Sequence, residues 1–441
     1  MSPPLFRLSD VEAVDLAKAP HRISTGVGYF DHMIDQLNSH AQVGVSVTAV
    51  RAEADGPADL SDPNRHREPA IEQASLMAEV GAALGERIGA LVRSRGLASG
   101  RTSRFCCPLD EALVECVLTV PPEDLTTGLA LECFALEPYG IFPTPGGRTR
   151  IGAMVPQHLE FFFASLAGSM GLILSIRKVR GDNGHHVVES AFKAFSRALR
   201  NLLDGTTTSG DGGEGYDAQW GMPSPSRSMG LEMARAASLS RKTKETSIDV
   251  DLKLDGMEAG ISVSTGLPTL DKFFTVLANE AEISLGVKCS GDTWVDDHHT
   301  AEDVAIAVGQ CLNKALGTKA GLNRMWCARG DREGSVVEVT VDLSNRPCLT
   351  SDLALATNKG MEEYMCKGAC ALTVEMFDHV VDSLVSQGQM TVHIVQIRET
   401  DAVFDTSLAT AMAFGRALKF CCAVDPRRAG KTASSKGTLS V

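Results

Sequence analysis

Residues 43–50 read Val-Gly-Val-Ser-Val-Thr-Ala-Val, with β-branched residues at alternate positions. Ser247–Leu254 and Val336–Val341 repeat that alternation. A period of two sends successive side chains to opposite faces, so each stretch predicts a strand. Val187–Leu203 and Ala301–Leu316 instead space their apolar residues three and four apart, as an amphipathic helix does. The two patterns alternate along the chain. They predict a mixed α/β fold of two-layer α+β modules, with helices packed on one face of each sheet.

The pattern runs twice. Thr25-Gly-Val-Gly-Tyr-Phe-Asp-His32-Met aligns with Thr265-Gly-Leu-Pro-Thr-Leu-Asp-Lys272-Phe. The stretch from Ala78 to Gly85 aligns with Glu302 to Gly309, and Phe192–Leu199 aligns with Ala411–Leu418. Between the copies, residues 205–232 are dense in Gly, Ser, Thr and Pro and lack apolar periodicity, so they read as a linker. The expected organisation is a first unit over residues 1–204 and a second over 233–441, related by internal duplication.

Composition narrows the function. At 441 residues, 44% hydrophobic and 22% charged, the chain has the profile of a globular protein of more than one unit. A net charge of −13 disfavours a nucleic-acid partner but leaves room for a local basic pocket that takes a small anion. The longest apolar runs, such as Phe161–Leu174, are broken by Gly168 and Ser169 and fall short of the ~20 residues a bilayer crossing needs. Residues 1–20 show neither a hydrophobic signal core nor an acid-poor transit pattern, so a cytoplasmic location is expected. The twelve cysteines include vicinal pairs at Cys106–Cys107 and Cys421–Cys422 and form no C-x-x-C framework, which reads as buried, reduced thiols.

The chemistry concentrates in histidines. Asp-Asp-His298-His299-Thr-Ala-Glu302 and Asp-Asn-Gly-His185-His186-Val-Val-Glu189 each open a predicted helix. Neighbours on a helix sit about 100° apart, so two adjacent imidazoles face two different centres. The expectation is that each Glu returns to the face of the second His, one turn on. His32 and His379 stand singly on further amphipathic helices, where a lone His is ordinarily structural. Four paired imidazoles and two carboxylates suit a pair of borderline divalent metals.

With these residues assembled, the sequence resembles the imidazoleglycerol-phosphate dehydratases of histidine biosynthesis, once per half. The first copy carries TGVGYFDHMIDQLNSH, CPLDEAL and GDNGHHVVESAFKAFSRAL. The second carries RKTKETSIDVDLKLDG, DDHHTAEDVAIAVGQCLNKALG, DLSNRPCL and DPRRAGKTASSKGTL. The resemblance implies two related sheet-and-helix modules per unit and two manganese ions held by the HH motifs, although zinc or iron would suit the same donors. It implies dehydration of imidazole glycerol phosphate to imidazole acetol phosphate, with Glu245 and Glu111 as candidates for moving protons. Lys193, Arg324, Arg346, Ser434, Ser435 and Lys436, with His40, are the expected substrate contacts. It also implies a homo-oligomer whose active sites lie between units.

Neither copy is complete, and the gaps interlock. Where the second has His298, His299 and Glu302, the first has Ala74, Ser75 and Ala78. Where the first has His185, His186 and Glu189, the second has Phe404, Asp405 and Leu408. His32 aligns with Lys272, His40 with Glu280, and His379 with Phe161. Lys193 survives only in the first copy, and Arg324, Arg346 and the SSKG tail only in the second. One set of six imidazoles and two carboxylates therefore survives, which predicts a composite dinuclear site at a junction of unlike copies. The competing reading is an inactive structural or regulatory subunit, to which the long insert 51–68 and the loop Pro138–Arg150 also point.

Overall fold

The computed structural model describes residues 6–16, 21–51, 70–123, 130–141, 145–205, 235–353, 355, 365, 372–400, 402–428, 430–434 and 439. The chain divides into two compact units, Met1–Met222 and Pro223–Val441. The expected linker, from residue 206 onward, and most of the 51–68 insert lie outside the described residues.

In the first unit, β1 (Phe6–Asp15), β2 (Ile23–Ser24), α1 (Gly28–Gln36), β3 (Val43–Arg51) and α2 (Ala70–Ser94) precede a second module. That module runs β4 (Thr102–Leu109), β5 (Ala112–Thr119), β6 (Leu131–Ala135), α3 (Leu159–Met170), β7 (Ile173–Arg180) and α4 (Gly184–Leu203). The second unit begins with β8 (Ala236–Lys242), β9 (Thr246–Lys253), β10 (Gly256–Ser264), α5 (Pro268–Ala281), β11 (Ile283–Gly291) and α6 (His298–Leu316). It continues with β12 (Met325–Arg332), β13 (Ser335–Asp342), β14 (Cys348–Ser351), α7 (Val374–Gly388), β15 (Thr391–Arg398) and α8 (Val403–Cys421).

The sheets repeat one topology. Those of β4–β7, β8–β11 and β12–β15 each place their strands in the order first, second, fourth, third. In each, the third and fourth strands pair in parallel, joined by a crossover helix, and the remaining pairs are antiparallel. The sheet β1-β3-β2 follows the same plan without a counterpart of the first strand among the described residues. The fold is thus tandem α/β, as the alternating patterns predict, with two sheet-plus-helix modules in each unit, as the family resemblance implies.

The strands at residues 43–50, 247–254 and 336–341 form within one residue of their predicted positions or extend slightly beyond them. In β9, Thr246, Ile248, Val250 and Leu252 are buried and the residues between them exposed, so this strand covers a core on one face only. All eight residues of β13 are buried, which places it inside its sheet with both faces covered. The two HH helices begin three residues before their apolar periodicity does, because Asn183 and Asp296 accept the N–H of His185 and His298 and so draw the first turn toward the metal-ligand types.

Helix pairing places the candidate ligands. α2 lies against α3 with Gly81, Gly85 and Gly89 in contact. A Cβ on these glycines would meet the carbonyl oxygens of Phe162, Leu166 and Met170 at 2.4, 2.4 and 2.7 Å. Gly309 serves the same approach of α6 to α7, where a Cβ would meet the Leu384 carbonyl at 2.8 Å. The described cysteines are free thiols, most of them buried. None of the described helices is long and apolar enough to cross a membrane.

Candidate metal centre

The second unit gathers a compact cluster of two histidines and one glutamate, and the first unit a looser arrangement of the same residue types. In the second unit the donor atoms of His298, Glu302 and His379 all lie within 4.8 Å of one another. His298 Nε2 is 3.6 Å from Glu302 Oε2, and His379 Nε2 is 3.3 Å from Glu302 Oε1. The N-termini of α6 and α7 are tied together, since Asp297 accepts both the N–H and the hydroxyl of Thr373, and Thr373 accepts the N–H of Met376. That tie brings His379, two residues into α7's second turn, over His298, ring to ring at 5.2 Å.

In the first unit His185 Nε2 is 3.2 Å from Glu189 Oε2, and His32 Nε2 of α1 is 4.0 Å from the same oxygen. The second glutamate oxygen holds Lys193 Nζ at 2.7 Å. Tyr29 donates its hydroxyl to the carbonyl of His185, which binds α1 to the start of α4. Burial works against the ionised Glu189, but His185, Lys193 and His32 outweigh it and hold its carboxyl well below the usual carboxylate range. The carboxylate is thus charged and offers one oxygen to the histidine side.

One expectation is corrected here. Each Glu pairs with the first His of its pair, four residues back, and not with the second. At 3.6 residues per turn the fourth residue on lies closer in angle than the third. The helices are rotated so that His185 faces α1 and His298 faces α7, leaving His186 and His299 directed elsewhere.

Those second histidines share a different environment. His186 Nδ1 lies 2.8 Å from Glu111 Oε2, and His299 Nδ1 lies 3.1 Å from Asp292 Oδ2. A carboxylate on Nδ1 fixes the tautomer and leaves Nε2 as a lone-pair donor. Burial opposes the ionised Glu111 too, yet the His186 contact and the N–H groups of Glu111 and Asn183 lower its pKa. The Asp292 hydrogen bond raises the pKa of His299.

Glu111 and Glu245 occupy matching places. Glu111 stands at the turn between β4 and β5, and Glu245 at the turn between β8 and β9, exposed and within electrostatic range of His299. Each candidate proton carrier thus stands near the second histidine of its own module. Asp292, Asp297 and Tyr29 were not singled out from sequence. A Gly-Asp pair ahead of both HH motifs, Gly181-Asp182 and Gly291-Asp292, was the available signal.

The expected substrate contacts fare unevenly. His40 is fully buried in the turn Leu37–Ala41, beneath β3 and α4, so it offers no surface to a substrate; that expectation is corrected. Arg324 is buried, gives two nitrogens to Asp342 at 2.6 and 2.8 Å, and donates a third to the Ala433 carbonyl. Arg346 and Ser434 are half-buried in the same part of the second unit, and Ser435 and Lys436 lie outside the described residues. The degenerate positions have settled differently. Asp405, where His186 aligns, pairs with Arg332 at 3.0 Å, and Phe161, where His379 aligns, is 51% exposed.

The second-unit cluster passes a chemical test for a divalent ion, since two imidazoles and a carboxylate converge there from two helices. In the first unit His32 and His185 share one oxygen of Glu189, whose other oxygen Lys193 holds.

Comparison with known proteins identifies the family. The family model described as imidazoleglycerol-phosphate dehydratase matches residues 25–199 and again 265–418. The chain is 36% identical over 217 residues to imidazoleglycerol-phosphate dehydratase 1, chloroplastic, of Arabidopsis thaliana, covering 49% of this chain and 76% of that protein. It is 38% identical over 207 residues to the dehydratase of Microcystis aeruginosa, covering 46% and 93% respectively. The solved dehydratase structure from Staphylococcus aureus aligns over 43% of this chain and 99% of its own, with a TM-score of 0.36 and 22% identity. The family model and the sequence relatives define a class, the hydro-lyases of amino-acid biosynthesis. The chain belongs to the imidazoleglycerol-phosphate dehydratase family, with the family unit present in two tandem copies.

Proposed function

We propose that the chain converts imidazole glycerol phosphate to imidazole acetol phosphate at a composite dinuclear site. One half of that site is His32, His185 and Glu189; the other is His298, Glu302 and His379. His186 and His299 complete the set by reaching from one copy to the cluster of the other. The supporting observation is the geometry of each unit: a glutamate shared by two histidines, compact in the second unit, plus one further histidine whose Nδ1 is held by a carboxylate. Manganese is the expected ion. When bound, divalent ions there would supply Lewis acidity toward the substrate imidazole.

The rest falls to the chain's own groups. The reaction takes a proton from one carbon and a hydroxyl from its neighbour, and the resulting enol tautomerises to the ketone. It therefore needs an acceptor for the carbon-bound proton and a donor for the departing hydroxyl. Glu245 and Glu111, at matching turns beside His299 and His186, are assigned those tasks. Lys193 holds one oxygen of Glu189 and so fixes the direction of the other. Arg346 and the tail Ser434-Ser435-Lys436 are assigned to the phosphate.

Metal content and turnover test this together. Wild type dialysed against excess manganese should retain two ions per chain and dehydrate imidazole glycerol phosphate. His186→Ala and His299→Ala should each lower metal content and abolish turnover. Retention of both ions in either variant would show that the two ligand sets never meet and return the inactive-subunit reading.

A further inference from the structure

The loop between β6 and α3 closes on itself. The Tyr139 N–H donates to the Gly146 carbonyl at 3.0 Å, and the Arg148 N–H donates to Tyr139 at 2.7 Å. Tyr139 is fully buried, and the loop backbone rests on the first residue of α4, where a Cβ on Gly184 would meet the Tyr139 carbonyl at 2.8 Å. Beside this contact opens a cavity of ≈ 430 Å³, lined by Glu111, Ile141, Arg148, Asp182, Asn183 and Gly184 among others. That volume is within the range of small-molecule sites.

The lining combines two kinds of chemistry, carboxylate and guanidinium. Glu111 is the residue that holds His186, so the cavity abuts the metal half-site. Arg148 is exposed and has no side-chain hydrogen bond or ion pair among the described residues. Lys193 and Arg324, two of the cations expected from sequence, are buried on Glu189 and Asp342. Asp182 contributes a carboxylate to the same cavity, with Lys178 within electrostatic range of it. A guanidinium presents a planar fork of donors that matches a phosphate. The corresponding stretch of the second copy, residues 352–373, has no arginine.

Building on the dehydratase reading above, we propose that Arg148 is a further substrate-binding residue, a first-copy addition to Arg346 and the Ser434–Lys436 tail in holding the substrate's phosphate, with Glu111 of the same cavity facing the reacting carbons. Hydrogen bonds to a charged group contribute enough that their loss costs about 10–100-fold in affinity.

The test compares Arg148→Ala and Arg148→Lys with wild type in the metal-loaded full chain. The readouts are KM, kcat, inhibition by inorganic phosphate and the thermal midpoint. Arg148→Ala should raise KM and the phosphate inhibition constant together by about 10–100-fold, more than it lowers kcat, at an unchanged midpoint. Arg148→Lys should recover part of the loss, because it restores charge without the fork. KM and phosphate inhibition within twofold of wild type overturn the proposal. If wild type shows no turnover, the dehydratase reading fails separately. Calorimetric titration with inorganic phosphate then decides Arg148 alone: weaker binding in Arg148→Ala sustains it, and equal binding, or none to wild type, overturns it.

Discussion

At the scale of single residues, duplicated motifs carry duplicated contacts. Thr25 and Thr265 each donate their N–H to an aspartate six residues on, Asp31 and Asp271, at 2.8 Å, and their hydroxyls bind the same oxygens. The candidate ligand types were readable in sequence because His, His and Glu at helical spacing are few and polar within apolar helices. Which His shares a face with which Glu was not readable, since positions three and four apart both lie within a turn. Asp292 was invisible as a partner for His299 because it precedes it in a loop. Asp292→Asn should leave the thermal midpoint unchanged and weaken metal binding about 10–100-fold, measured by competition with a chelating dye. A second residue prediction concerns acid. Burial would raise the Glu115 pKa, but Arg104 and Arg177 outweigh it and lower it below its ordinary 4.5. A lowered folded-state pKa stabilises above the unfolded value, and that contribution is lost as pH falls through the folded one. Glu115→Gln should therefore cost about 1–3 kcal/mol at pH 7 by denaturant titration, with the gap to wild type closing as pH drops below 4.5.

At the scale of elements, glycine placement separates two roles. Gly85 lies where α2 meets α3, and a Cβ there would be 2.4 Å from the Leu166 carbonyl. Gly168 is exposed on α3, and a Cβ there would meet nothing nearer than 4.0 Å. Gly85→Ala should destabilise by about 1–3 kcal/mol through overpacking. Gly168→Ala should stabilise by about 0.5–1 kcal/mol, because alanine gives up less chain entropy in a helix. Chemical denaturation of both variants checks the pair, and a stabilised Gly85→Ala would mean that the helices do not approach as described. Strands and helices themselves were legible from periodicity, since side-chain spacing repeats with the element. The strand order was not, because it depends on which edges pair across the sheet.

For the whole molecule, the proposed composite site could be assembled from the copies of one chain or of two. A chain with His186→Ala keeps an intact second copy, and a chain with His299→Ala keeps an intact first copy. Each variant alone should be inactive. Activity in a co-refolded mixture would place the working junction between chains, and none would place it within one chain. At one degenerate position Asp405 has its own partner in Arg332. Restoring Asp405→His alone should consequently recover no second metal pair, by elemental analysis, because Phe404, Leu408 and Lys272 still provide no ligand at the aligned positions.

The sequence by itself determined the tandem plan, the helix and strand positions, the family and the residue types proposed as ligands, because each is written in local periodicity or in long motifs. Tertiary structure alone decided that His32 joins His185 and Glu189, that His379 joins His298 and Glu302, and that His40 and Arg324 are enclosed within the protein. These follow from helix rotation and from the packing of residues far apart in the chain. A one-dimensional pattern fixes which face of a helix is apolar, but not which neighbour its polar edge will meet.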